Sequence, residues 1–272
     1  MWYELLLAAI FGVLEGVTEW LPVSSTGHLI LLEHVVRFPV RDAFFELFEV
    51  VIQLGAILAV AVLFFRRLNP FSKEKSTAQR HATWGLWGRI LLACVPSAVV
   101  GLFLDDVLDR YLYNALTVAL MLILYGILFI LIEKHRKPAP FPAQSNRITP
   151  LEALGIGLFQ LLSLIPGTSR SGATVLGGLL LGLSRTAAAE FSFFLGIPTM
   201  LGASALKGFK FFWEGNTLLA SEWLMLGIGA LTAFLVSLLT IKTLLGFVRR
   251  HTFTVFGIYR ILLGIAVLLV LL

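Results

Sequence analysis

The chain has 272 residues, of which 58% are hydrophobic and 14% charged, with a mean hydropathy of +0.91. Soluble domains average about 25% charged residues, so the composition points away from a soluble fold and towards an all-α polytopic membrane protein. The net charge of +5 is collected in loops, as the positive-inside rule expects, which makes nucleic acid a poor partner and membrane lipid the natural one. The single Cys94 lies in an apolar run; it rules out an internal disulfide and is expected to pack or to face lipid. No cleavable leader is expected, because basic residues are missing ahead of the first apolar run and Glu15 and Glu19 interrupt the region where a cleavage site would follow.

Residues 1–20 read as an apolar helix and 24–37 as a second, short one. The second would rise only about 21 Å, less than the roughly 30 Å hydrocarbon core. The pair, 1–37, therefore reads as a re-entrant hairpin whose polar tip lies inside the membrane. Phe44 to Phe65 is long enough to span, and Arg66-Arg67 stops it. The following loop, 66–83, carries Arg66, Arg67, Lys73, Lys75 and Arg80 against Glu74 and belongs in the cytoplasm. Trp84 to Leu104 spans outward, the acidic stretch Asp105 to Arg110 reads as a short outer loop, and Tyr113 to Ile132 returns. A basic, proline-rich stretch, 133–150, follows; its core, 136–150, is a cytoplasmic linker dividing the chain into 1–135 and 151–272.

The second half repeats the plan. Residues 151–165 and 170–182 form another broken pair, a hairpin over 151–182. Thr186 to Leu206, Glu222 to Ile241 and Phe253 to Leu272 then span, with a basic turn (Lys242, Arg249, Arg250) before the last. Internal echoes support duplication: Gly157 to Gln160 resembles Gly12 to Glu15, and Glu190 to Gly196 resembles Glu49 to Gly55. The expectation is about ten helices with six full spans, each half contributing one hairpin and three spans. Three is odd, so the halves must be inverted, an arrangement that brings broken helices together near the midplane.

The chemistry gathers at the two breaks. Glu15 and Glu19 are four apart and share a helix face. In lipid each would cost roughly 2.5–3.5 kcal/mol on insertion scales, so a cation or a nearby arginine must compensate. Pro22 stops that helix, and Ser24, Ser25 and Thr26 open the next with hydroxyls and free N–H groups suited to a phosphate. His28 follows on the same face as Ser25. The second break, IPGTSRSGAT from Ile165 to Thr174, holds Thr168, Ser169, Arg170 and Ser171. Capping alone would explain the hydroxyls, but it does not explain Glu15, Glu19 or an arginine inside an apolar hairpin. An acidic, metal-ready half facing a guanidinium half suits a diphosphate ester.

Other polar groups read more plainly. Glu33 would face a cavity or the outer interface, Glu49 and Glu190 divide evenly between structural pairing and function, and Arg260 would snorkel. His34, His81, His135 and His251 read as interface or loop residues. Gly177, Gly178 and Gly182 would mark close helix packing, and the many phenylalanines would be lipid-facing bulk.

At these positions the sequence closely resembles the bacterial undecaprenyl-diphosphatase family, whose members are also called bacitracin resistance proteins. The likeness rests on EGVTEWLPVSSTGH (Glu15 to His28) and PGTSRSGAT (Pro166 to Thr174), continues through Phe48 to Val60 and Ala187 to Ala203, and so covers nearly the whole chain. The resemblance implies a hydrolase of the bacterial inner (cytoplasmic) membrane that converts undecaprenyl diphosphate to the monophosphate carrier of cell-wall synthesis, with a divalent cation. It implies Ser25, His28, Glu19 and Arg170 as catalytic residues, and Ser24, Thr26, Ser169, Ser171 and Thr174 around the substrate. Glu15 and Glu19 would hold Mg²⁺ or Ca²⁺. Three assignments stay open for the attacking group: Ser25, His28 or an activated water. The competing class is a secondary transporter or flippase of a polyprenyl phosphate, since inverted repeats serve transport equally well; a homo-oligomer is compatible with either. Tracing charge through the loops brings the first hairpin in from the outer face and the second from the cytoplasm. The acidic arm then favours a site open to the outer, periplasmic side.

Overall fold

The computed structural model describes residues 1–112, 114–136 and 148–271, with side chains for all of these except 105–110. Most of the expected linker, 137–147, lies outside the described residues, as do Tyr113 and Leu272. The helices are α1 (Trp2–Thr18), α2 (Ser25–Val36), α3 (Asp42–Leu63), α4 (Phe65–Leu68, a single turn), α5 (Thr77–Leu112) and α6 (Ala115–His135), then α7 (Pro150–Leu161), α8 (Arg170–Leu180), α9 (Arg185–Trp213), α10 (Ala220–Val248) and α11 (Thr254–Leu271). A 3₁₀ turn, Leu162–Leu164, extends α7. Among the described residues six helices are long and apolar enough to cross a membrane: α3, α5, α6, α9, α10 and α11.

Local chemistry sets most boundaries. Asn114 caps α6 by accepting from the Thr117 amide at 2.9 Å. Thr149 and Glu152 form a reciprocal box at the start of α7, with Pro150 at its first position. Ser184 caps α9 by accepting from the Ala187 amide. The acidic stretch Asp105 to Arg110 is a correction: it is not a loop but the continuation of α5. No Gly or Pro occurs between Leu102 and Asn114, and charge alone does not terminate a helix. Pro96 and Pro198 sit inside α5 and α9 without ending them, as membrane helices tolerate when neighbours re-satisfy the freed carbonyl.

One face of each hairpin's first helix packs on a long helix. α1 lies along α10 and α7 along α5, α3 packs on both α9 and α10, and α6 lies along α11. A Cβ at Gly12 would stand 2.4 Å from the Gly229 carbonyl oxygen, and one at Gly157 2.3 Å from that of Ala93. Only glycine allows either approach. Gly177 and Gly178 are likewise packed, against Phe159 and Ala188, whereas Gly182 faces open space and serves a turn at φ +87°.

The phenylalanines correct a second expectation. Phe11, Phe44, Phe48, Phe129, Phe191, Phe193, Phe194 and Phe253 are fully buried. Phe11 stacks on Phe38 at 5.3 Å and meets Phe45 and Phe48 edge-on. Lipid tails are as apolar as a protein interior, so burial of Phe is decided by the volume to be filled rather than by hydropathy.

Among the described residues, three ion pairs away from the helix breaks tie helix ends together. Arg67 of α4 meets Glu190 of α9 at 2.7 Å. Arg41 reaches both Glu222 oxygens, at 2.8 and 2.9 Å. Arg185 reaches both oxygens of Glu133, at 2.8 and 2.7 Å, and the Phe253 amide donates to the same carboxylate. Glu190 thus has a structural partner.

Candidate active site

The two helix breaks adopt the same local geometry. Ser24 and Ser169 have φ values of 74° and 70°, rare for residues with a side chain. Each caps the helix that follows: the Gly27 amide donates to Ser24 Oγ at 3.4 Å, and the Gly172 amide to Ser169 Oγ at 3.1 Å. Strained backbone of this kind persists only where its surroundings over-determine it. The first helical residue after each cap is Ser25 in one hairpin and Arg170 in the other.

Both of these residues reach Glu19. Ser25 Oγ donates to Glu19 Oε2 at 3.0 Å, and Arg170 Nη2 donates to Glu19 Oε1 at 2.7 Å. Arg170 Nη1 also donates to the Ser192 carbonyl at 2.6 Å, and its guanidinium lies over Trp20 at 6.0 Å. Ser171 Oγ donates to the Glu19 and Leu21 carbonyls, at 3.0 and 3.2 Å, which sews α8 to the first tip. Ser169 and Ser171 hydroxyls are 3.2 Å apart. Thr174 is buried behind them, with Oγ1 2.7 Å from Ser192 Oγ and a bond to the Arg170 carbonyl. Thr26 is half-buried at the second position of α2.

His28 is held at both nitrogens. Its Nδ1 lies 2.7 Å from the Ser24 carbonyl and its Nε2 2.7 Å from the Tyr259 hydroxyl, with the two rings stacked. A carbonyl only accepts, so Nδ1 carries the hydrogen; in the neutral ring Nε2 then accepts from the Tyr259 hydroxyl. Sequence reasoning missed Tyr259, because a tyrosine in an apolar span has no spacing that marks it.

Glu15 is fully buried, and among the described residues neither carboxylate oxygen has a hydrogen-bond partner. An orphaned buried carboxylate is what a hard cation would satisfy. Glu19 differs, since both its oxygens are already engaged. No cluster of three or more His, Cys, Asp or Glu side chains set for a metal occurs among the described residues.

Arg260 is the largest departure from expectation. It does not snorkel. It is fully buried, and its guanidinium donates to carbonyls of both breaks. The breaks leave carbonyls without helical partners inside the protein, and a long cationic donor answers them better there than at the interface.

A cavity of about 530 Å³ is walled by Ile30 and Glu33 of α2, Asp42, Glu46 and Glu49 of α3, and Lys207 of α9; none of Glu15, Glu19, Ser25, His28 or Arg170 lines it. A second cavity of about 460 Å³ shares Glu46 and Lys207.

A family model described as "Bacitracin resistance protein BacA" matches residues 8–266. The chain is 54% identical over 258 residues to a protein of Enterococcus faecalis named undecaprenyl-diphosphatase, covering 94% of each. It is 52% identical over 266 residues to one of the same name from Streptococcus thermophilus, covering 97% of this chain and 92% of that one. With one from Streptococcus mutans it shares 53% over 270 residues, 98% of this chain and 96% of the other. Matched across both breaks and nearly end to end, the chain belongs to the BacA family of bacitracin resistance proteins.

Proposed function

We infer that this chain is an undecaprenyl-diphosphatase, an integral-membrane hydrolase converting undecaprenyl diphosphate and water to undecaprenyl phosphate and inorganic phosphate. The reaction returns the lipid carrier to peptidoglycan synthesis and accounts for bacitracin resistance. The observation that carries the reading is the Glu19 carboxylate, shared between the Ser25 hydroxyl and the Arg170 guanidinium where two helix N-termini meet.

Ser25 Oγ attacks the terminal phosphorus and passes its proton to Glu19 Oε2. The bond from that phosphorus to the bridging oxygen breaks, and undecaprenyl phosphate leaves. Glu19 gives that proton to the departing phosphate and is again a base when water attacks the phosphoserine. The water's proton passes by way of Glu19 to Ser25 Oγ, which releases inorganic phosphate and restores the hydroxyl. Arg170 turns from Glu19 to the phosphoryl oxygens, which frees the carboxylate as base and places a planar fork on the transferring group. The amides opening α2 and α8 add donors for the developing charge. His28 is a poorer nucleophile here, because both its nitrogens are committed; it orients the α2 tip with Tyr259. The relatives named undecaprenyl-diphosphatase favour hydrolysis over transport as the function of this site.

Glu15, whose oxygens lack partners among the described residues, and Glu19 would hold a divalent cation, Mg²⁺ or Ca²⁺, against the substrate. Such an ion supplies charge neutralisation at the diphosphate.

Two inverted halves are the architecture we assign. In support, the α1–α10 contact has its counterpart in α7–α5 when the halves are exchanged, and α6–α11 and α3–α9 map onto themselves. The basic Arg66-Arg67 pair follows one end of α3 and Asp42 opens the other. With the basic end in the cytoplasm, the hairpin carrying Glu15, Glu19 and Ser25 enters from the outer side, which supports a site open to the outer face. In intact spheroplasts, an impermeant thiol reagent should label Ser25→Cys in a Cys94→Ala background, with substrate protecting; labelling from the cytoplasmic side alone would reverse the assignment.

The central test is phosphate release from undecaprenyl diphosphate by detergent-purified protein. Release that stops with chelator and resumes with Mg²⁺ or Ca²⁺ is expected. No release under any ion condition would overturn the reading.

A further inference from the structure

Arg260 buries a guanidinium completely within α11, one of the six helices long and apolar enough to span, where a charge is costly and normally answered by a carboxylate. Among the described residues it has none. Its Nη1 donates to the Pro22 carbonyl at 3.2 Å, and its Nη2 to the carbonyls of Gly167 at 2.8 Å, Thr168 at 3.0 Å and Met121 at 3.4 Å. Three of these four acceptors belong to the two helix breaks, one in each half of the chain. We propose that Arg260 is a positioning residue that locks the two hairpin tips in register, so that Ser25 and Arg170 converge on Glu19.

The physical need comes from the breaks themselves. Pro22, and Pro166 with Gly167, interrupt their helices and strip nearby carbonyls of amide partners. Away from water an unsatisfied carbonyl costs several kcal/mol. A guanidinium offers five donors in one plane and can answer carbonyls from two segments at once; an ammonium, a compact charge on a flexible stem, offers no such fixed plane.

The register follows from spacing along the chain. Pro22 lies three residues before Ser25, and Thr168 two residues before Arg170. Holding both carbonyls on one planar group therefore fixes the separation of the two residues that act on the phosphorus. The group is itself immobilised. The Tyr125 ring lies 5.5 Å from its centre, and a Cβ built at Gly172 would come within 3.2 Å of Nη1, so the first turn of α8 rests on it. A misplacement of about 1 Å is enough to cost about 10²-fold in rate.

This proposal rests on the phosphatase reading, but one arm of its test does not. Arg260→Lys keeps the charge, and Arg260→Gln keeps a two-donor amide without it. Both are made in the full-length protein in detergent, with kcat and KM measured beside amide hydrogen exchange. Positioning predicts that kcat falls about 10²-fold in both variants while KM moves less than about threefold. It also predicts faster exchange confined to peptides covering 20–28 and 166–174. Wild-type kcat in Arg260→Lys would overturn the proposal. So would faster exchange spread over all the helices, which marks a general stabiliser, or a raised KM at constant kcat, which marks substrate contact. If the wild-type protein releases no phosphate, the functional reading fails, yet the exchange pattern still decides what Arg260 holds.

Discussion

The two hairpins share a backbone plan and differ in charge. Gly12 lets α1 lie against the Gly229 carbonyl, and Gly157 lets α7 lie against that of Ala93, with Cβ clearances of 2.4 and 2.3 Å. One turn on, the first hairpin buries Glu15, whose oxygens have no partner among the described residues, and the second buries Gln160, whose Nε2 donates to Ser97 Oγ at 2.6 Å. Past the proline, each has a positive-φ serine cap. The next residue is Ser25 in one and Arg170 in the other. Similar frames thus carry complementary side chains, and neither hairpin alone holds the whole set of candidate residues. The Glu19 carboxylate is where they become one.

The comparison breaks most severely at Glu19. Glu19→Gln removes the proposed base and the charge that faces Arg170, and turnover should fall about 10²–10⁴-fold in a phosphate-release assay; an unchanged rate would remove Glu19 from proton transfer. Arg170→Lys should lose about 10²-fold. A lysine cannot hold Glu19 and the Ser192 carbonyl together as the planar fork does, and circular dichroism should show the helices intact. Wild-type turnover in that variant would reduce Arg170 to a point charge.

Glu15→Gln makes the first hairpin resemble the second. The ion concentration giving half-maximal activity should rise about tenfold or more, and an unaltered ion titration would take Glu15 out of the metal site. Gly12→Ala and Gly157→Ala sharpen the likeness instead. Each forces a methyl into a carbonyl and should cost about 1–3 kcal/mol, read as matched losses of thermal stability in detergent. A loss at one position alone would show that the two contacts are not equivalent. Tyr259→Phe is the mildest. It removes one hydrogen bond from His28, worth about 1 kcal/mol, so turnover should fall less than about tenfold.

Much of this was legible along the chain. Pro22 and Pro166 mark the breaks because proline cannot continue a helix. Glu15, Glu19 and Arg170 stand out because a charge within an apolar run demands a reason. The six spans follow from length and hydropathy. The stretch Asp105 to Arg110 misled because charge was taken for a loop, where nothing in it breaks a helix. The phenylalanines misled because hydropathy does not distinguish lipid from protein interior.

Sequence by itself therefore determined the fold class, the places where helices stop, and the residue types that must be answered by a partner. Those are local properties of propensity and solvation. Only the tertiary structure decided which partner answers which charge: Arg170 with Glu19 across 151 positions of chain, and Arg260 with Pro22 across 238. Tyr259 became a neighbour of His28 in the same way, 231 positions away. No periodicity encodes such pairings, because they arise where helices from opposite halves pack and their broken ends share one dry interior.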